Sequence, residues 1–297
     1  MDIVFFGNER LASACTTQLP ILNSLTKSEH KIKLIVISEK GTKSRNKREL
    51  EVEKFATSNN IELFIPKDID DLIKKLFETN AEVGVLAAYG RIIPQEVIDI
   101  FPNGIINLHP SLLPRYRGPT PIESAILNGD EETGVSIMSL SSGMDSGPIY
   151  SQVKINLTGK ESKQKLANDL GELGAKEILK VLKSDLTSKP QIGEPVICSL
   201  INKQYSNLDL NKPAKVLERE VRAYLGWPSS KTTLKLKDNN TLEITVTEVE
   251  IVKEDNESPL TLKTSINYLK ITKLKLPGKS EITDKDFING YKNKLKT

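Results

Sequence analysis

Gly104-Ile105-Ile106-Asn107-Leu108-His109-Pro110-Ser111-Leu112-Leu113-Pro114-Arg115-Tyr116-Arg117-Gly118 begins as a short apolar run and ends as a turn. The apolar run reads as a strand buried on both faces, the pattern of a parallel sheet covered by helices. Pro110 and Pro114 end it, because proline brings no N–H to a ladder. Asn107 and His109 are two apart, so their side chains project from one side of the strand. Ligands of open α/β sheets bind beyond the carboxyl ends of the strands, which is where this pair falls. An amide donor beside an imidazole suits carbonyl chemistry; the plainer alternative is that both side chains only satisfy loop backbone groups. The chain has two histidines. The other, His30, lies in the polar stretch Ser28-Glu29-His30-Lys31 and is expected on an exposed turn.

Upstream, strands alternate with helices. Residues 2–6, 32–38, 61–65 and 83–90 read as strands, and residues 11–25, 49–59, 68–77 and 94–100 as helices, the first interrupted near Pro20. Alternation at this spacing predicts a parallel, Rossmann-like sheet. Gly7-Asn8-Glu9-Arg10 is not the G-x-G-x-x-G that brings backbone against a pyrophosphate, so a nicotinamide cofactor is not indicated. Lys40-Gly41-Thr42-Lys43-Ser44-Arg45-Asn46-Lys47-Arg48 carries five basic residues and no acid. It reads either as a solvated charge run or as a loop that grips phosphates.

Downstream, residues 120–129 form a helix closed by glycine, residues 133–140 and 149–155 strands, and residues 162–182 a long helix. Between the two strands, Ser141-Ser142-Gly143-Met144-Asp145-Ser146-Gly147-Pro148 is a glycine-flanked loop with one carboxylate. Taken alone, Asp145 could be an Asx-turn residue. Residues 183–202 read as a linker. Residues 211–225 read as a helix with Val216, Leu217, Val221 and Tyr224 inward. Short strands at 232–236, 241–252, 259–263 and 269–276 suggest a small barrel or sandwich, followed by a polar, lysine-ended tail.

A length of 297 residues allows one large or two modest domains with proper cores. The content of 38% hydrophobic and 27% charged residues is that of a soluble globular protein. No run approaches the roughly 18 apolar residues of a membrane span, and the start lacks the basic lead-in of a signal peptide. Cys15 and Cys198 are isolated, so neither a disulfide framework nor a metal cluster is expected, and a cytoplasmic setting fits. From Leu200 onward 18 Lys and Arg stand against 13 Asp and Glu, leaving +5 there and −2 in the remainder. That asymmetry permits a polyanionic partner.

Asn107-Leu108-His109-Pro110-Ser111-Leu112-Leu113-Pro114-Arg115-Tyr116-Arg117-Gly118, followed by Gly143-Met144-Asp145-Ser146-Gly147, resembles the folate-dependent formyltransferases. The likeness runs through residues 1–182. It resumes at Tyr205, at Val221-Arg222-Ala223-Tyr224-Leu225-Gly226-Trp227-Pro228 and at Leu276-Pro277-Gly278-Lys279. It implies an α/β architecture: a Rossmann-like parallel-sheet catalytic domain over residues 1–184, a linker over 185–202 and an OB-like β-barrel over 203–297. Asn107, His109 and Asp145 match the family's catalytic trio. Ser111, Leu112, Leu113 and Pro114 match its folate-contacting loop, with Leu86 and Tyr89 as further folate contacts. The implied formyl donor is 10-formyltetrahydrofolate, and no metal is called for. The implied partner is initiator methionyl-tRNA, contacted by Lys40, Lys43, Arg45, Lys47 and Arg48, with the chain acting as a monomer.

This chain departs from the family's usual start at Asn8-Glu9-Arg10-Leu11-Ala12. It lacks the usual Pro-Asp-Arg after the second strand, and has Leu208-Asp209-Leu210 where Ile-Asp-Trp is common. These changes bear on the acceptor more than on the carbonyl chemistry. An acceptor α-amino group, partly unprotonated near neutral pH, attacks the formyl carbon to give a tetrahedral oxyanion. The Asn107 amide can donate to that oxygen, a contact whose loss typically costs on the order of 3 kcal/mol. His109 would stabilise the oxyanion or relay a proton, and Asp145 would orient its ring. An amino-sugar nucleotide is the rival acceptor. A non-catalytic RNA-binding relative is the rival of another class, although binding alone gives no reason to keep all three polar residues.

Overall fold

In β1 (Asp2–Gly7), Ile3 and Phe5 pack to one side while Val4 and Phe6 pack to the other, the two-residue period of a strand covered on both faces. The computed structural model describes residues 1–7, 14–38, 50–255, 258–291 and 293–295, with the backbone alone at 14–17. Lys40, Lys43, Arg45, Lys47 and Arg48 lie outside the described residues, as do residues 8–12 and the side chain of Cys15. The chain divides into two units. The first holds Met1–Ile122, Glu131–Leu157 and Gln164–Ser199; the second holds Glu123–Asp130, Thr158–Lys163 and the chain from Leu200.

After β1 come α1 (Ala14–Thr26), β2 (Lys31–Ile37), α2 (Glu51–Ser58), β3 (Leu63–Phe64), α3 (Ile69–Thr79), β4 (Val83–Ala87), α4 (Gln95–Ile98) and β5 (Ile105–His109). They are followed by α5 (Pro121–Asn128), β6 (Glu132–Ser139), β7 (Ile149–Asn156) and α6 (Lys163–Leu182). The seven-stranded sheet has the order β3-β2-β1-β4-β5-β6-β7. Its first five strands are parallel, as expected of a Rossmann-like sheet. The last two run antiparallel, so the sheet is mostly parallel; the apolar pattern of a strand does not encode its direction.

Two expectations are corrected in this unit. The helix α1 runs through Pro20 instead of breaking there. An interior proline costs about 3 kcal/mol, and here Ile21, Leu22 and Leu25 are all fully buried, enough apolar burial to offset it. His30 is buried, not exposed, with Nδ1 3.3 Å from the Met1 amino group. Burial, then the positive charge of that amine, pushes the imidazole pKa down.

In β5, Ile106 and Leu108 join the core beneath α1 and α6, while Ile105 joins the core beneath α3 and α4. Asn107 and His109, in step with Ile105, therefore share the second face. Leu86 is the register partner of Asn107 on β4. Behind them Gly174 of α6 meets the Leu108 side chain so closely that an added Cβ would overlap it. That contact holds β5 from the rear, between the two polar residues.

The second unit contains α7 (Ala214–Ala223), β8 (Ser230–Lys235), β9 (Thr241–Val252), β10 (Thr261–Lys263), β11 (Tyr268–Lys275), β12 (Glu281–Thr283) and α8 (Asp284–Tyr291). The strands form an antiparallel sheet in the order β10-β11-β9-β8, with β12 beside β11, curled into an OB-like half-barrel. Its core includes Ile244, Val246, Leu260, Ile271, Leu274 and Phe287. The tail expected to be polar in fact supplies β12 and α8, and Phe287 is fully buried. Lys163 donates from Nζ to the Trp227 carbonyl at 3.1 Å and lies 3.7 Å from Glu123. Burial pushes the Glu123 carboxyl up and the Lys163 ammonium down, each partly offset by the other's charge. On α7, Leu217 and Val221 are buried as expected, but Val216 is exposed. Val216→Ser should therefore change unfolding free energy by no more than about 0.5 kcal/mol in a denaturant titration. A loss of several times that would return Val216 to the core.

Candidate active site

The site starts where β5 stops. Asn107 and His109 are both 5% exposed. His109 Nε2 lies 2.8 Å from the Tyr116 carbonyl. A carbonyl only accepts, so Nε2 bears a hydrogen and Nδ1 is the nitrogen left for proton exchange. Nδ1 faces Asp145 Oδ2 at 3.5 Å, an ion-pair separation slightly longer than a direct hydrogen bond. The same Oδ2 accepts the Gly118 backbone N–H at 2.8 Å. The structure thus sets Asp145, from a loop 36 residues beyond His109, against the imidazole, with Asn107 two residues before it on the same face of β5.

Two residues around the imidazole have left-handed backbone, Tyr116 with φ 60° and Asp145 with φ 45°. Neither is glycine, and such positions cost of order 1–3 kcal/mol each. Both present polar groups to the cluster: the Tyr116 carbonyl holds Nε2, and the Asp145 carboxylate faces Nδ1.

The loop after β5 is stapled from the neighbouring strands. Ser136, the register partner of His109 on β6, donates from its hydroxyl to the Ser111 carbonyl at 2.7 Å and accepts the Leu113 N–H at 3.1 Å. Gln152 on β7 donates from Nε2 to the Leu113 carbonyl and to the Ser136 hydroxyl, each at 2.9 Å. Ser111 is fully buried and donates its hydroxyl to the Arg115 carbonyl at 2.6 Å. Leu113 is also buried, so Leu112 and Pro114 are the members of 111–114 that present surface. Leu86 and Tyr89 form the floor on this face of the sheet, both buried. The Tyr89 ring stands edge-on to Phe6 with centroids 5.6 Å apart, and burial pushes its phenol pKa up.

The segment read as a connector runs along these loops. Lys189 exchanges two backbone hydrogen bonds with Ile149. The Val196 N–H donates to the Pro114 carbonyl, the Arg117 N–H to the Val196 carbonyl and the Cys198 N–H to the Arg117 carbonyl. Prolines and mixed polarity mark such a segment as non-helical but say nothing of its path. Among the described residues no group of three or more His, Cys, Asp or Glu side chains is placed to hold a metal ion. No helix there is long and apolar enough to cross a membrane.

Solved structures share this fold. HypX from Aquifex aeolicus in complex with tetrahydrofolic acid superposes with a TM-score of 0.63 at 17% identity, over 97% of this chain and 47% of that one. The chain thus spans about half the length of HypX. A 4-N formyltransferase from Francisella tularensis gives 0.60 at 18% identity, over 84% and 98%. Sequence relatives are nearer. The methionyl-tRNA formyltransferase of Thermodesulfovibrio yellowstonii is 34% identical over 98% of this chain and 96% of its own. That of Buchnera aphidicola is 32% identical over 92% of each. Residues 2–182 match the formyl transferase family and residues 200–292 the formyl transferase C-terminal domain. With family models covering nearly the whole chain and relatives matching along it at 32–34% identity, the chain belongs to the formyl transferase family.

Proposed function

We propose that this protein transfers the formyl group of 10-formyltetrahydrofolate to the α-amino group of initiator methionyl-tRNA, and that Asn107, His109 and Asp145 carry the transfer. The observation that carries the reading is Asp145 facing His109 at the end of β5, with Asn107 on the same face of that strand. Relatives named methionyl-tRNA formyltransferase, matching along almost the entire chain, support the acceptor.

The residues present fit a formyl donor. Leu112 and Pro114 offer apolar surface beside a buried amide and imidazole, and would hold the folate with Leu86 and Tyr89 below. When bound, the donor supplies a formyl group on a nitrogen that can leave as an amine. Asn107 donates its amide N–H to the formyl oxygen as that atom gains negative charge. His109, its Nε2 committed to Tyr116, holds at Nδ1 the proton that the entering amine loses and the departing nitrogen gains. Asp145 orients the ring and balances its positive charge.

Initial rates with 10-formyltetrahydrofolate and competing acceptors test the proposal: charged initiator tRNA, charged elongator tRNA and amino-sugar nucleotides. Formyl transfer to the sugar nucleotide in preference to charged tRNA would sink it. We also assign Lys40, Lys43, Arg45, Lys47 and Arg48 to the tRNA phosphates, on their charge and spacing. Neutralising Lys43, Arg45, Lys47 and Arg48 together should flatten the plot of log K against log salt, by up to about 0.9 per lost duplex contact. An unchanged slope would make the stretch a solvated charge run. On the same reading the protein acts in the cytoplasm, where translation takes place, and as a monomer.

A further inference from the structure

We propose that Gln191 is a positioning residue for formyl transfer, holding the Asp145 loop against His109; this rests on the function proposed above. The loop needs such a device because of where it starts. The strand β6 runs antiparallel to β5 and ends at Ser139, the register partner of Ile106. That is three residues short of His109, about 10 Å at the rise of a strand. The loop must therefore double back along β5 before Asp145 can face Nδ1.

Gln191 is tied to both sides of the fold-back. Its Nε2 donates to the Asp145 and Gly147 carbonyls, each at 2.8 Å. Its Oε1 accepts from Arg117 Nε at 3.0 Å and from the same guanidinium through Nη2 at 2.7 Å. Two donors and two lone pairs exhaust the amide's capacity. The four contacts also fix its orientation, since the guanidinium can only donate and the carbonyls can only accept.

The contacts close a ring. Gly118, next to Arg117, donates its N–H to Asp145 Oδ2. Arg117 is itself anchored by backbone bonds to Val196 and Cys198, in the same segment as Gln191. Gly118 thereby aims the carboxylate, and Gln191 fixes the left-handed backbone that carries it. None of these four hydrogen bonds reaches the imidazole or the amide of the trio, so their effect on the reaction passes through Asp145.

Gln191→Glu separates this role from a merely structural one. A carboxylate keeps the acceptor for Arg117 and strengthens that pair, but turns the donor into an oxygen facing two carbonyl oxygens. The expected result is a kcat at least roughly 10-fold lower, as misplacement of a reacting constellation brings. The KM values for formyl donor and charged tRNA stay within about twofold. Gln191→Met, of similar shape and uncharged, gives the same pattern should Glu disturb folding. Gln191→Glu combined with Asp145→Ala is no slower than Asp145→Ala alone, because both act on one group.

A readout free of the assay accompanies these. With two histidines in the chain, ring ¹⁵N spectra of the unliganded protein should show the His109 resonances moving in Gln191→Glu while those of His30 stay. Wild-type kcat in both variants, a raised tRNA KM at unchanged kcat, or full additivity with Asp145→Ala would each overturn the proposal. If wild-type protein formylates no acceptor, the proposed function fails, and unmoved His109 resonances would then overturn the positioning role separately.

Discussion

Asn107→Ala is expected to lower kcat by about 10²–10³-fold, the loss of one donor to an oxyanion, with the fold retained. The amide lies 5% exposed on a central strand. Water therefore does not readily replace it, and low surrounding polarity makes its hydrogen bond stronger than in solution. Alanine fits the strand without overlap, and β5 remains paired on both sides with β4 and β6. Stability and catalysis should therefore separate, which makes this variant more informative than His109→Ala. Removing the imidazole also takes from the Tyr116 carbonyl the bond to Nε2 and leaves it the Cys198 thiol at 3.6 Å, so that variant alters the loop as well as the chemistry. Single-turnover rates together with a thermal melt are the measurements. Wild-type turnover in a folded Asn107→Ala protein would remove Asn107 from the chemistry.

The second large effect is expected at a position that carries no side chain of its own. A Cβ at Gly147 would overlap the Ser139 backbone carbonyl and stand 3.1 Å from Met138 Cε. The carbonyl cannot yield as a side chain would, since Ser139 sits on a paired strand and its N–H donates to the Pro148 carbonyl at 2.9 Å. The 140–147 loop must move instead, carrying Asp145 with it. Gly147→Ala should lower Tm by roughly 5–10 °C, as overpacking of about 2–3 kcal/mol does, and reduce kcat at least about 10-fold. Gly143→Ala is the control within the same loop. The added Cβ there meets only the Ser146 side chain, which can rotate away, so both quantities should stay near wild type. Equal effects of the two substitutions would mean that the backbone collision is relieved without shifting Asp145.

Parts of this arrangement could be read from residues alone. An apolar run ended by proline announces a buried strand, and the two-residue spacing of Asn107 and His109 announces a shared face. The OB-like strands were visible for the same reason, as β-branched runs between turn residues. Asp145 was different: its loop is ordinary turn chemistry, and only the resemblance set it beside His109. The direction of β6 and β7 was hidden because side-chain alternation carries no sign. Phe287, Ile288 and Tyr291 gave helical spacing in the tail, but the surrounding lysines masked it. His30 looked exposed because its neighbours are polar, although its ring packs by the Met1 amine. The Arg117–Gln191 pair spans 74 residues, and no local rule of propensity or period reaches that far.

The backbone bonds from Val196 and Cys198 to the Pro114–Arg117 loop also set an order of events. A ribosome delivers the amino-terminal part of a chain first, and folding follows delivery. The strands β1–β7 and the helix α6 are all available once Leu182 has emerged. The amide that fixes the Asp145 loop and the two backbone partners of Arg117 arrive only afterwards. A nascent chain therefore exposes every strand of its sheet before it holds the means to lock the geometry around His109, and that geometry can be fixed only once residues 183–198 have followed.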